Sequence, residues 1–222
     1  MINVGILMQF LFQILADFDT DYVCKELKGN AYFPQVLESQ QVASQPTLSR
    51  FLSRANSETV EALRQINLDL VQTFLKVQSM KQFIVDVDST HFTSHGNQEG
   101  SNYNAHYRAK GFHPLYAFES HIGYCLNAQL RPGNHYCSEG ADHFLEPILA
   151  GFDNLVFRMD SGFASPKISN LIEDNGENYF IKLKWNNVLG DLGDLKPPCS
   201  EDENLTILPH DAYSEKTYQA NS

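Results

Sequence analysis

From Phe83 to Trp185 the apolar residues switch repeatedly between the two-residue period of a strand and the three- to four-residue period of a helix. QFIVDVDST, residues 82–90, reads as a strand. So do HPLYAFESHIG (113–123) and YCLNAQLRPG (124–133), with Gly123 placed for a tight turn between them. SEGADHFLEPILAGF (138–152) reads as a helix, with Ser138 as N-cap and Pro147 as a kink or break. NLVFRMDSGF carries a strand ending at Asp160. SPKISNLIEDNG (165–176) is a helix with Ser165 as N-cap, Pro166 in its first position and Gly176 as C-cap. NYFIKLKW (178–185) is the last strand. The order β-β-β-α-β-α-β demands an α/β fold, a mixed sheet with helices on its faces.

Ahead of this core, residues 1–80 form a helical region. Helices are expected over 1–18 and 57–80, and in the second Val60, Leu63, Ile66, Leu70, Phe74 and Val77 line one face. Between them, Pro46 and Thr47 suit a helix start, and Arg50 and Arg54 stand one turn apart. That segment reads either as a DNA-contacting helix or as an amphipathic helix with solvated arginines. The apolar start, MINVGILMQFLFQILADF, lacks a basic leader and is too short to span a bilayer. The expected setting is therefore cytoplasmic, with no membrane partner. Cys24, Cys125, Cys137 and Cys199 show no paired spacing, which suits a reducing compartment. Residues 186–222 are acidic and turn-rich.

Two aspartates carry the chemistry. Asp88 ends the first strand and Asp160 the fourth. If those strands are parallel neighbours, both carboxylates emerge at one sheet edge, where sites gather in open α/β sheets. Like charges that close need a shared proton or a divalent cation. Oxygen donors of this kind suit Mg²⁺ or Mn²⁺, and a pair of such ions can activate the attacking and leaving oxygens of a phosphodiester. The plainer reading is that each aspartate builds an Asx or ST turn. Asp86 shares a face with Asp88 and is the alternative first ligand. His91 and His95, four apart, suggest a zinc site only if helical, and they run into Gly96. Gln98 and Glu99 either reach the site or build their turn. Arg108 and Lys110 are the nearest cations for phosphate, and Arg158 shares the face of Asp160. Phe163 reads as core. The net charge of −11 opposes strong nonspecific binding to a phosphate backbone, which any nucleic-acid reading must answer.

Taken together, DVDSTHFTSHGNQEG, YRAKGFHPLYAF, LRPGN and RMDSGF, with ASQPTLSRF upstream and YQANS at the end, resemble the DDE group 1 transposases of bacterial insertion sequences. The likeness covers most of residues 43–222. It implies a ribonuclease H-like core over 81–185, preceded by a helical region that binds DNA or dimerises, with 186–222 as the start of a strand-rich insertion. It implies Mg²⁺-dependent cleavage at terminal inverted repeats and joining to target DNA by a homo-oligomer. By this resemblance Asp88 and Asp160 are the first two catalytic acids and metal ligands; Arg50, Arg54, Arg108 and Lys110 are the expected DNA contacts from their position and charge. The third acid, a glutamate on a later helix, has no counterpart: Glu201, Glu203 and Glu215 lie in the irregular tail. The expectation is a truncated transposase, inactive by itself. The alternatives are a ribonuclease H-like nuclease without strand transfer, and a non-catalytic fragment that binds DNA ends or partner subunits and inhibits transposition.

Overall fold

The computed structural model describes residues 3–37, 41–78 and 82–183. The helical region contains α1 (Asn3–Leu15), a 3₁₀ turn (Asp21–Val23), α2 (Cys24–Gly29), α3 (Phe33–Val36), α4 (Gln45–Leu52) and α5 (Ser57–Gln78). The core follows as β1 (Phe83–Ser89), β2 (Phe92–Thr93), β3 (Asn102–Asn104), β4 (Ala109–Phe112), β5 (Leu115–Glu119) and β6 (Cys125–Gln129). It continues with α6 (Ala141–Gly151), β7 (Leu155–Met159), α7 (Pro166–Asp174) and β8 (Asn178–Ile181). Two compact units result, dividing between Leu63 and Arg64 inside α5.

The main sheet has the order β6-β5-β1-β7-β8. β1, β5 and β6 pair antiparallel, and β1, β7 and β8 pair parallel. This is the expected mixed sheet of an α/β fold. β1 shows why it forms: Val85 and Val87 are buried, while Asp86 and Asp88 point to the other face. The buried face packs Val85, Val87, Leu115, Ala117 and Phe157 against Leu145 and Ile148 of α6 and Ile168 and Ile172 of α7. Phe163 is fully buried there, as expected of a core residue.

Several expectations need correction. Residues 92–112, to which the residue pattern assigns no element, build a second sheet of order β2-β4-β3. Its strands of two to four residues are too short to show a period. α6 is capped by Gly140 in the left-handed region rather than by Ser138. Pro147 lies inside α6 without ending it, because Phe144, Leu145 and Ile148 are held in the core on either side. The α7 start agrees, with Ser165 at the N-cap and Pro166 next. Its C-cap is Asn175, and Gly176 follows in the left-handed region with its N–H on the Glu173 carbonyl.

The face of α5 also differs. Leu68, Val71 and Leu75 are buried, whereas Val60, Leu63, Ile66, Leu70, Phe74 and Val77 are exposed. The helix carries apolar residues on two sides, and periodicity alone does not say which side meets the sheet. In α1, likewise, Ile6, Gln9 and Gln13 are buried while Val4, Leu11, Ile14 and Leu15 are exposed. The stretch 186–222 lies outside the described residues, as do Glu201, Glu203 and Glu215.

Candidate functional site

The parallel register decides where the two aspartates go. Phe83 is opposite Leu155, Asp86 opposite Arg158, and Val87 opposite Met159. The next residues along the two strands are Asp88 and Asp160, abreast on adjacent chains that run about 4.8 Å apart. Both are exposed and line one cleft of about 700 Å³ at the C-terminal ends of these strands.

Each carboxylate is held from one side by backbone. The Ser89 N–H donates to Asp88 Oδ1 at 2.7 Å, and the Gly162 N–H donates to Asp160 Oδ1 at 2.7 Å. The turn reading of these aspartates is thus correct in part, and it leaves the second oxygen of each available. Gly162 is required by space, since a Cβ there would come within 2.9 Å of Asp160 Oδ1 and of the Cys137 Cβ and Sγ atoms. Ser89 Oγ donates to that same Cys137 Sγ at 3.2 Å, tying the end of β1 to the opposite wall.

Asp86 is differently placed. Arg158 Nε donates to its Oδ1 and Arg158 Nη2 to its Oδ2, both at 2.6 Å. The same Asp86 hydrogen bond and charge raise the Arg158 pKa. This bidentate pair neutralises Asp86 and, among the described residues, leaves Asp88 and Asp160 as the acids of the edge without a cationic partner. Glu119, fully buried, is no substitute third acid. It stands opposite Val85, away from Asp88, and caps its own turn through the His121 and Ile122 N–H groups.

The rest of the cleft wall was not anticipated. Tyr103 and Tyr107 come from the β3–β4 hairpin, His113 from the approach to β5, and Tyr136 and Cys137 from the loop after β6. Arg131 organises them, although LRPGN carried no assigned role in the sequence. It is buried, and its Nε donates to the His113 carbonyl at 3.0 Å. Its Nη1 donates to the carbonyls of Glu139 at 2.6 Å, Tyr136 at 3.2 Å and Cys137 at 3.3 Å. Burial pushes its pKa below the usual arginine range. His113 is buried too, and its Nδ1–H donates to the His135 carbonyl at 2.9 Å. Burial chiefly lowers its pKa, with the Arg131 and His91 charges acting the same way, so the ring is held toward its neutral form. Gly133 lets two chain segments meet, because a Cβ there would strike the Asn102 and Gly111 carbonyl oxygens.

The remaining sequence-derived residues are scattered. Arg50 lies on α4, but Arg54 falls beyond its end, so the two do not share one helical face. Both are exposed, with weak contacts to Thr47 and Asn3 respectively. Arg108 and Lys110 are exposed on the β3–β4 hairpin, outside the cleft lining. Arg108 takes a left-handed φ of 54°. Gln98 builds its turn, its carbonyl accepting the Ser101 N–H. His91 is not helical and stacks on Tyr107. Among the described residues, no three His, Cys, Asp or Glu side chains converge as a metal-ligand set. No helix among them is long and apolar enough to cross a membrane.

A family model described as transposase DDE domain group 1 matches residues 2–222. No curated protein matches the chain. Among solved structures, the piggyBac transposase synaptic complex with hairpin DNA is 12% identical with a TM-score of 0.44, over 88% of this chain and 45% of that one. The Drosophila P element transposase strand transfer complex is 10% identical with a TM-score of 0.37, over 74% and 41%. The Mos1 strand transfer complex is 14% identical with a TM-score of 0.34, over 77% and 61%. The match therefore spans less than two thirds of the length of each of these proteins.

Proposed function

The chain belongs to the transposase DDE domain group 1 family, and from that premise we propose that it is the transposase of a bacterial insertion sequence, with Asp88 and Asp160 as its first two catalytic acids. The single observation behind this reading is the β1–β7 register, which sets two otherwise unneutralised carboxylates abreast at the rim of one cleft.

The donor set fits a hard divalent cation such as Mg²⁺ or Mn²⁺. Each carboxylate has one oxygen fixed by a backbone N–H and one left over, and among the described residues neither is paired with an arginine or lysine as Asp86 is. Asp88 and Asp160 would hold the ion, which when bound polarises the scissile phosphate and lowers the pKa of the attacking water or hydroxyl. The chain's own part is positional. The main sheet fixes the spacing of the two acids, and Ser89 and Gly162 set their orientation. The Arg158 guanidinium keeps Asp86 from competing for the cation.

The substrate would be DNA: the terminal inverted repeats of the element, then the target that receives the 3′-hydroxyl. Arg50, Arg54, Arg108 and Lys110 are exposed cations suited to phosphate contact outside the cleft. The working unit would be a homo-oligomer. Among the described residues two acids, and not three, meet at the rim, and on that ground we expect little strand transfer from this chain by itself.

The test pairs two readouts. Mn²⁺ binding by calorimetry should fall at least tenfold in Asp88→Asn and in Asp160→Asn, while Asp86→Asn leaves it within about threefold. Strand transfer is then assayed on terminal-repeat DNA, with this chain by itself and with a longer relative added. Wild-type Mn²⁺ affinity in both Asn variants would overturn the assignment. Nicking without joined product would favour the nuclease reading instead.

A further inference from the structure

The β1–β7 pairing ends at Val87 and Met159, one residue short of Asp88 and Asp160. Beyond it each acid is oriented by a backbone N–H in its own turn, from Ser89 for Asp88 and from Gly162 for Asp160. Two ligands of one cation need those turns in a fixed relation, and the ladder between the strands no longer supplies it.

One side chain touches both turns. Ser89 Oγ donates to Cys137 Sγ at 3.2 Å. On its other side Cys137 lies so close to Gly162 that a Cβ there would stand 2.9 Å from both the Cys137 Cβ and its Sγ. The thiol also packs against the main apolar cluster, which backs it and keeps it from withdrawing. Its backbone, however, belongs to residues 130–140, which hold no helix and, beyond one bridge at Pro132, no strand. Arg131 takes the place of a ladder. Its Nη1 donates to the Cys137 carbonyl at 3.3 Å and to the Tyr136 and Glu139 carbonyls beside it, while Nε donates to the His113 carbonyl just ahead of β5. β5 pairs with β1, with Leu115 opposite Ser89. Arg131 thus ties the Cys137 loop to the strand that flanks Asp88. This needs the planar fork of an arginine, whose donors reach in two directions at once; a lysine's three donors radiate from one atom.

We propose that Cys137 is a positioning residue for the acid pair: it locks the Ser89 and Gly162 turns together, and Arg131 holds it in place. The inference rests on the reading of Asp88 and Asp160 as metal ligands and deepens it. Neither Cys137 nor Arg131 touches the cation or DNA in this role; their effect is on geometry. Without Sγ, the Ser89 hydroxyl loses this acceptor and a gap opens beside Gly162. Each orienting N–H then swings with its own turn, and the remaining oxygens of the two carboxylates no longer converge. A hard cation gains from both oxygens only when both lie at bonding distance. A Cys137 that merely filled space would act on stability and leave cation affinity alone.

The experiment uses the full chain and Mn²⁺. Calorimetry gives affinity, electron paramagnetic resonance gives the bound-ion signal, and denaturant unfolding in metal-free buffer shows which variants are folded. Cys137→Ala and Ser89→Ala should each weaken Mn²⁺ binding about tenfold, and the double variant should lose no more than either single, because both remove one link. Cys137→Ser keeps an acceptor for the Ser89 hydroxyl and should recover most of that affinity. Arg131→Lys should lose about as much as Cys137→Ala. In the weakened variants the Mn²⁺ signal should broaden as the site loses its single geometry. Cys125→Ala, at a thiol outside the cleft lining, should leave affinity and signal unchanged. Losses that add in the double variant would overturn the link between Ser89 and Cys137. If Cys137→Ala binds Mn²⁺ like the wild type while Asp88→Asn does not, the clamp is wrong and the acid pair stands. If the wild-type chain binds no Mn²⁺, both fall. Should Arg131→Lys fail to fold, the Ser89–Cys137 cycle still decides.

Discussion

The helical unit that ends at Leu63 and the sheet unit that begins at Arg64 solve the same problem in opposite ways. The sheet unit buries a continuous apolar layer, from Val85 and Val87 through Phe157 to Ile168 and Ile172. Among the described residues the helical unit clusters Ile6, Cys24, Ala43 and Leu48, buries Val23, Leu27 and Leu37 besides, and fills the space beside the cluster with Gln9 and Gln13. Gln9 Oε1 accepts the Ala43 N–H at 2.7 Å and its Nε2 donates to the Ala43 carbonyl at 3.4 Å, so a side chain does there what strand pairing does in the sheet. Apolar residues of α1 meanwhile face outward. A rigid apolar platform suits residues that must hold two acids in register. A small core pinned by a glutamine suits an element whose apolar surface is left for other contacts.

The comparison can be broken at its strong end first. Phe157→Ala empties a fully buried site in the middle of the sheet and should cost about 3–5 kcal/mol, read by denaturant unfolding. Hydrogen exchange should place that loss in the main sheet and leave α1 and α4 unchanged; a loss spread evenly over both units would mean that they share one cooperative core. Gln9→Leu strands the Ala43 N–H and should cost about 1–3 kcal/mol, confined to the helical unit. A stabilising Gln9→Leu would show that the polar pin is dispensable and that the contrast is only one of composition.

A pH series sharpens the sheet side. Burial lowers the His113 pKa below its ordinary 6.5, so the unfolded chain binds its proton first as pH falls. The stability from neutral His113 is fully present above pH 6.5 and is lost as pH drops through the folded-state value. The slope from this one group is at most about 1.4 kcal/mol per pH unit. In metal-free buffer, His113→Asn keeps a donor for the His135 carbonyl and should flatten the acid limb. An unchanged limb would assign the acid sensitivity elsewhere. The smallest effect belongs to the outward stripe of α5: Leu70→Ser should change stability by no more than about 0.5 kcal/mol. A large loss there would mean that this stripe is already covered in solution, and concentration-dependent light scattering would show whether a second copy covers it.

Much of this architecture was readable from residue order. The alternation in β1 marks Asp86 and Asp88 as partners on one face, and the Ser165–Pro166 start of α7 is a local signal that the fold simply obeys. Long elements with a clear period behave this way because their own chemistry agrees with their surroundings. The short sheet β2-β4-β3 was not readable, since its pairing is set by Gly111 packing under the Phe92 backbone and not by any pattern within NYN or AKGF. Nor was the role of Arg131, which appears only when four carbonyls from separate positions turn toward one guanidinium.

The order of apolar and polar residues along the chain thus determined which segments are strands and helices and which aspartates stand at strand ends, because period and end position are local properties. Only the tertiary structure decided that β1 and β7 lie side by side in parallel, that Arg158 takes Asp86 and leaves Asp88, and that rings from three separate segments close one cleft. Those outcomes depend on contacts between residues far apart in the chain, and their energies exist only once the chain has closed on itself.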